Sequence, residues 1–410
     1  MVLDCPIGEN MARHSAMIYL DYNATTPIDP AVAEAMRPFI ESQFGNPSSS
    51  HPLGRAAKSA VESARASLAA LMGAKPHEII FTSGGTEASN LAIKGLARRR
   101  GERGGHFVTT VVEHPATLEP MRALERNGFT RTEVSADPTG LVDPDAIRRA
   151  IRPDTILISV MHAQNEVGTI EPIAEIGQIA RKRGVLFHVD AAQSMGKLPV
   201  TVDEMSADLL SIAGHKMYGP KGVGALYVHA GVELEPLIHG AAQESGRRGG
   251  TENVILIAGL GKAAELAREH LSPSPSQGEG RGEGSTTSKH DSATSSIDRI
   301  RLLRDHFWQR LSEAFGDRIL LNGHPTLRLP NTLSVSFPGH VGGDILAKMP
   351  DVCASTGAAC HAGDAKPSRV LMAMGYSRER AVGTIRFSLG HPTGREEIDA
   401  VVKQLAQAAG

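Results

Sequence analysis

The chain has 410 residues, 41% hydrophobic and 4% aromatic, which is enough for two or more domains and a large core. Its net charge of −2 comes from 43 basic and 45 acidic residues mixed along the chain, which argues against a polyanion-binding surface such as nucleic acid requires. No apolar run is long enough to span a bilayer, residues 1–16 lack the apolar core of a secretory signal, and Cys5, Cys353 and Cys360 form neither a disulfide framework nor a CxxC pair. A reduced, cytoplasmic setting is therefore expected, where a thiol is free to react.

A flexible N-terminus over 1–16 precedes a short strand and turn, Ile18-Tyr19-Leu20-Asp21-Tyr22-Asn23. A helix follows Pro30. Val61, Ala64, Leu68, Leu71 and Met72 have helical spacing, and Gly73 stops that helix. Strands and helices then alternate: strand 79–82, helix 87–100, strand 106–112, helix 115–127, strand 155–162, helix 172–183, then strands 185–189 and 208–212. Short apolar strands alternating with helices predict an α/β fold, a mostly parallel central sheet flanked by helices. Residues 17–270 are read as this large domain. Residues 271–296, LSPSPSQGEGRGEGSTTSKHDSATSS, carry Pro, Gly, Ser and charge without apolar period and are expected to be a disordered insertion. Residues 297–410 predict a smaller α+β C-terminal domain, with helix 297–315, strand 331–337, helix 344–349, strand 384–388 and helix 395–409.

In open α/β sheets, ligands sit at the carboxyl ends of strands. Asp190, Gln193, His215 and Lys216 would all be delivered there. An Asp at one strand end and a Lys just past another suit pyridoxal 5′-phosphate: the amine joins the aldehyde and the carboxylate pairs with the pyridinium nitrogen. Taken singly, Asp190 reads as a strand-end cap and Lys216 as a surface lysine. The Ser83-Gly84-Gly85-Thr86-Glu87 turn opens a helix after a strand, so its backbone N–H groups and the Thr86 hydroxyl suit a phosphate. His114 follows the next strand and could stack on a ring or move protons, or be structural. Asn165 could donate to a ring oxygen or a carboxylate, or serve as a turn residue. The glycine-rich loop 247–253 suits an anion or a helix cap. Arg386 sits within a strand and needs a partner there, which an amino-acid carboxylate would supply. Cys360, among small residues on a loop running to Pro367, suits a nucleophile that travels, against the alternative of a core cysteine; Cys353 is expected to be the buried thiol.

On these residues the chain resembles the cysteine desulfurases of the NifS/IscS kind, class V of the fold-type I pyridoxal phosphate enzymes, over nearly its whole length. The motifs are Tyr19-Leu20-Asp21-Tyr22-Asn23-Ala24-Thr25-Thr26-Pro27, Ser83-Gly84-Gly85-Thr86-Glu87, Glu113-His114, Asn165-Glu166-Val167-Gly168, His188-Val189-Asp190-Ala191-Ala192-Gln193, Gly214-His215-Lys216, Gly249-Gly250-Thr251-Glu252-Asn253 and Arg386-Phe387-Ser388-Leu389-Gly390. The resemblance implies that Lys216 carries the cofactor and acts as base, with Asp190 at the ring nitrogen, Gln193 at the ring hydroxyl and His114 stacked on the ring. Gly85, Thr86 and His215 would hold phosphate, and Thr251 would reach it from the second subunit of a homodimer. Asn165 and Arg386 would hold the carboxylate of L-cysteine, and Cys360 would take the sulfur as a persulfide and pass it to an acceptor protein, as in iron–sulfur cluster assembly. No resident metal is implied beyond transient iron–sulfur contact at Cys360. Ala213 stands where the family often has serine, removing one phosphate contact. The Thr356-Gly357-Ala358-Ala359-Cys360-His361 run also resembles selenocysteine lyases, so L-selenocysteine is the alternative substrate.

Overall fold

The computed structural model describes residues 17–101, 104–272, 295–356 and 366–410. The expectations for residues 1–16, for most of the 271–296 insertion, and for Cys360 and its loop lie outside these residues.

The strands in chain order are β1 (Ile18–Tyr19), β2 (Ile79–Thr82), β3 (Gly105–Thr110), β4 (Phe129–Val134), β5 (Thr155–Met161), β6 (Leu186–Asp190), β7 (Leu209–Ala213), β8 (Gly224–Val228), β9 (Leu320–Asn322), β10 (Thr332–Ser336), β11 (Val352–Cys353) and β12 (Thr384–Ser388). Seven of them form the central sheet, in the order β2-β8-β7-β6-β5-β3-β4. Neighbours from β7 to β4 pair in parallel, while β8 runs antiparallel to both β2 and β7. The sheet is thus mostly parallel, as its apolar strands predict. β5, β7 and β8 are buried at every position, as strands covered on both faces must be.

Several elements escaped the sequence reading, three of them in the large domain for identifiable reasons. β4 alternates polar and charged residues at the sheet edge, so it lacks an apolar run. β8 opens on glycine because its first residue packs on the turn after β2: a Cβ on Gly224 would lie 2.7 Å from Gly84 Cα. Helix Pro144–Ala150 buries only Ile147. The two strands that carry the cofactor motif also run one residue further than expected, to Asp190 and Ala213.

The helices cover both faces. Helix Pro52–Met72 starts on Pro52 after a His51 cap, buries Val61, Ala64, Leu68 and Met72, and ends at Gly73 with a φ of 71°. It packs on helix Val254–Leu271. Each fully buried leucine or phenylalanine, such as Leu68, Phe107 or Phe187, contributes about 1.5–3 kcal/mol by leaving water. A separate core gathers Phe307, Leu311, Phe337, Phe387 and Leu405 around the antiparallel sheet β12-β10-β9. Leu20 belongs to this C-terminal core, because β1 pairs in parallel with β11. The N-terminal turn is therefore held between the two cores. Among the described residues no helix is long and apolar enough to cross a membrane.

Candidate active site

A cavity of about 360 Å³ opens at the carboxyl edge of the central sheet. Gly85 and Thr86 reach it from the turn after β2, His114 from the turn after β3, Asn165 from beyond β5, Asp190 and Gln193 from β6, and Ala213, His215 and Lys216 from β7. Arg386 enters from β12, and Asn23 and Ala24 from the turn after β1. Parallel pairing puts the ends of β3, β5, β6 and β7 on one edge, while β1 and β12 belong to other sheets.

The strands that deliver Asp190 are locked from below. His188 is fully buried, its two ring nitrogens 2.7 Å from Ser159 Oγ and 2.8 Å from Ser211 Oγ on the flanking strands. Burial holds this imidazole down at about 3, so it is a neutral strut. One side-chain period further, Asp190 is buried and accepts the Ala192 N–H at 2.9 Å. Burial raises its pKa, with His114 and Lys216 opposing. A buried carboxylate in this state fits a pyridinium nitrogen.

Lys216 Nζ donates to the carbonyls of Asn23 at 2.5 Å and Ala24 at 2.7 Å. Burial first, and the Arg386 charge second, push its amine down to about 8, while Asp21 and Asp190 pull upward. An amine close to neutrality at this depth is a nucleophile and a base. His114 caps helix Pro115–Glu125, its Nδ1 accepting the Ala116 N–H at 3.1 Å. Desolvation is the main cause that lowers its pKa, with Lys216 and Arg369 adding and Asp190 opposing. The neutral ring therefore carries its proton on Nε2. His215 Nδ1 lies 3.2 Å from Thr25 Oγ1, and burial followed by the Lys216, Lys221 and Lys197 charges brings it to about 4.

The turn after β2 is shaped for an anion. Gly84 takes a φ of 152°, which side chains rarely adopt, and it caps helix Gly85–Arg100 without a side-chain bond. The helix N-terminus is thus left for a ligand, with the Thr86 hydroxyl beside it. Together, the phosphate-shaped turn, the near-neutral Lys216 amine and the buried Asp190 carboxylate fit pyridoxal 5′-phosphate.

Two expected residues, Arg386 and Cys353, differ in their surroundings. Arg386 meets a resident carboxylate: Nη2 lies 2.6 Å from Asp21 Oδ1 and Nη1 donates to Asn165 O at 2.9 Å, while Nε has no partner. The strand reading missed this because Asp21 is 365 positions away in sequence. Thr251 is exposed and does not line this cavity. Cys353 is half-buried rather than core, since β11 spans two residues and among the described residues pairs with β1 alone. Asn23 and Lys197 are the site neighbours that the residue-by-residue reading gave no role. For Lys197 the one available signal was its spacing, a single helical turn after Gln193.

The aminotransferase class-V family model matches residues 18–278. The IscS cysteine desulfurase of Dictyoglomus turgidum is 47% identical over 384 residues, covering 93% of this chain and 92% of the relative. The IscS cysteine desulfurase of Methanosarcina thermophila is 43% identical over 399 residues, covering 97% and 93%. Among solved structures, a NifS-like protein superposes with a TM-score of 0.84 at 35% identity, over 95% of this chain and 98% of its own. SspA in complex with cysteine superposes with a TM-score of 0.77 at 38% identity, over 90% and 98%.

Proposed function

Because this chain belongs to the aminotransferase class-V family, among its cysteine desulfurases, we propose that the cavity binds pyridoxal 5′-phosphate and L-cysteine and delivers sulfur to Cys360. The observation that carries the reading is the convergence of Lys216, Asp190, His114, Thr86 and Arg386 on one cavity.

When bound, the cofactor supplies an aldehyde for an amine and an electron sink for the substrate's Cα. The chain supplies the rest. Thr86, Gly85 and His215 hold phosphate at the helix N-terminus. Asp190 would keep the ring nitrogen protonated, Gln193 would bond the ring hydroxyl, and His114 would lie against the ring. Arg386 binds the substrate carboxylate from the cavity wall, with Asn165 beside it. Lys216, near neutrality, removes the Cα proton. Cys360 Sγ attacks the substrate sulfur as a thiolate. The Sγ–S bond forms and the substrate Cβ–S bond breaks. The carbon fragment keeps that electron pair and is protonated to alanine, so Cys360 retains the sulfur as a persulfide and no outside oxidant is consumed.

The protein is read as a cytoplasmic homodimer that hands sulfur to an acceptor protein, with iron–sulfur assembly as one destination. Support for a dimer comes from Phe44 and Ile40, 81% and 64% exposed, and from Thr251, which is free to reach the phosphate site of a second copy. The run from Thr356 to His361 keeps selenocysteine lyase as the second reading.

Alanine release from L-cysteine and from L-selenocysteine, by wild type and Cys360→Ala with thiol present, tests both. Turnover of cysteine that the variant abolishes is the expected result. Activity on selenocysteine alone, or a variant that still uses it, favours the lyase. A cofactor-loaded wild type inert toward both overturns the reaction proposed.

A further inference from the structure

Lys197 takes no part in the chemistry above, yet it lies directly behind the cavity. It is 8% exposed, and its Nζ donates to Gln193 Oε1 at 2.9 Å and to Asn23 Oδ1 at 3.1 Å. Among the described residues no carboxylate lies within ion-pairing distance of it. Burial, with the Lys216 and Arg386 charges, holds this amine well below the ordinary lysine value. Burying an amine without a counter-ion is costly, and an apolar side chain of similar shape is usually cheaper.

What the amine does there is visible in its two partners, both of which line the cavity. Gln193 is gripped at both ends of its carboxamide. Its Nε2 donates to the Asn23 carbonyl at 2.9 Å, and a carbonyl can only accept, so Oε1 must face Lys197. This leaves one Nε2–H of Gln193 for the cavity. Asn23 is gripped too: its Oδ1 also accepts from Asn331 Nδ2 at 3.1 Å, and its Nδ2 donates to Thr332 Oγ1 at 2.8 Å. Its backbone carbonyl is the one that receives Lys216 Nζ.

We propose that Lys197 is a positioning residue for the cofactor: it fixes the Gln193 carboxamide so that an N–H, and not the amide oxygen, meets the cofactor's ring oxygen, and it braces the Asn23 turn against which Lys216 is set. Without Lys197 the buried Oε1 has no donor, and the Asn23 carbonyl alone then opposes turning of the carboxamide. Gln193 would then donate less firmly to the ring oxygen of a bound cofactor, and the visible band would titrate at higher pH. The inference rests on the proposed use of pyridoxal phosphate by this cavity.

The test uses the full chain as apoprotein reloaded with pyridoxal 5′-phosphate, and it reads the cofactor dissociation constant and the pH midpoint of the visible band. Lys197→Met is expected to weaken binding about fivefold and to raise the midpoint by about half a unit to one unit, the effect of one hydrogen bond. Lys197→Arg, which keeps a donor, is expected to restore the midpoint. The double variant with Gln193→Met is expected to shift the midpoint no further than Gln193→Met alone, since Lys197 acts through that side chain. Should Lys197→Met fail to fold, Lys197→Gln takes its place in the same cycle. An unchanged midpoint and affinity, or shifts that simply add, overturn the positioning role. A wild type that shows no visible band overturns the function reading itself, and the inference with it.

Discussion

Arg386, in the wall of the proposed substrate site, forms an ion pair 2.6 Å long with Asp21, joining β12 to the turn after β1. Both side chains are largely buried, at 7% and 22% exposure. The guanidinium is held by the chain along one edge, through Asp21 and Asn165, while its enclosed Nε has no partner. A substrate carboxylate entering here meets an arginine already oriented, and also a resident negative charge.

Asp21→Asn keeps the shape of that pair and removes its charge. The KM for L-cysteine is expected to fall, because the incoming carboxylate no longer competes with Asp21. Stability is expected to fall as well, by about 1–3 kcal/mol, because a buried guanidinium loses its counter-charge. Arg386→Ala is expected to raise KM about ten- to a hundredfold. Steady-state kinetics with a parallel thermal melt reads all three, and a raised KM in Asp21→Asn contradicts the competition.

Cofactor uptake by the apoprotein is expected to depend on pH through Lys216. Its amine is brought to about 8, mainly by burial, so the neutral, nucleophilic fraction grows as pH rises through that value. Stopped-flow growth of the visible band from pH 6 to 10 should therefore accelerate with a midpoint near 8. A midpoint near the ordinary lysine value of 10.5 shows that the site does not depress this amine.

Glu113 gives a stability slope of the opposite sense. Its carboxyl is fully buried; Oε1 accepts from Thr110 Oγ1 at 2.8 Å and from the Met161 N–H at 2.9 Å, while Oε2 has no partner. Burial raises its pKa from 4.5 to about 8. Between these values the folded chain holds a proton that the unfolded chain has released, so stability falls as pH rises through this window and levels off above it. Glu113→Gln, neutral at every pH, is expected to remove that part of the slope. Denaturant midpoints at several pH values from 5 to 9 check it, and equal slopes in both proteins contradict it.

Ala213 and Gly85 face each other in the anion cradle, where a Cβ added to Gly85 would lie 3.2 Å from Ala213 Cβ. Ala213→Ser places a hydroxyl at that wall and is expected to tighten cofactor binding about fivefold, one added hydrogen bond. Gly85→Ala crowds the same cradle and is expected to weaken it. Cofactor titration of the two apoproteins reads both directions, and a looser Ala213→Ser shows that the position does not reach the phosphate.

The sequence by itself determined the α/β class and the strand-end placement of His114, Asn165, Asp190, His215 and Lys216. Both follow from local pattern: apolar strands alternate with helices at short range, and parallel pairing then sends each following turn to one edge. Only the tertiary structure decided what those residues touch. That Asp21 answers Arg386, that Lys197 donates to Gln193 and Asn23, that burial raises the Glu113 pKa, and that Thr251 stands outside its own chain's cavity all depend on segments brought together across the fold. The reason is that periodicity encodes which face of an element is buried, whereas the partner of a buried charge is set by how the two cores close around the β1 turn.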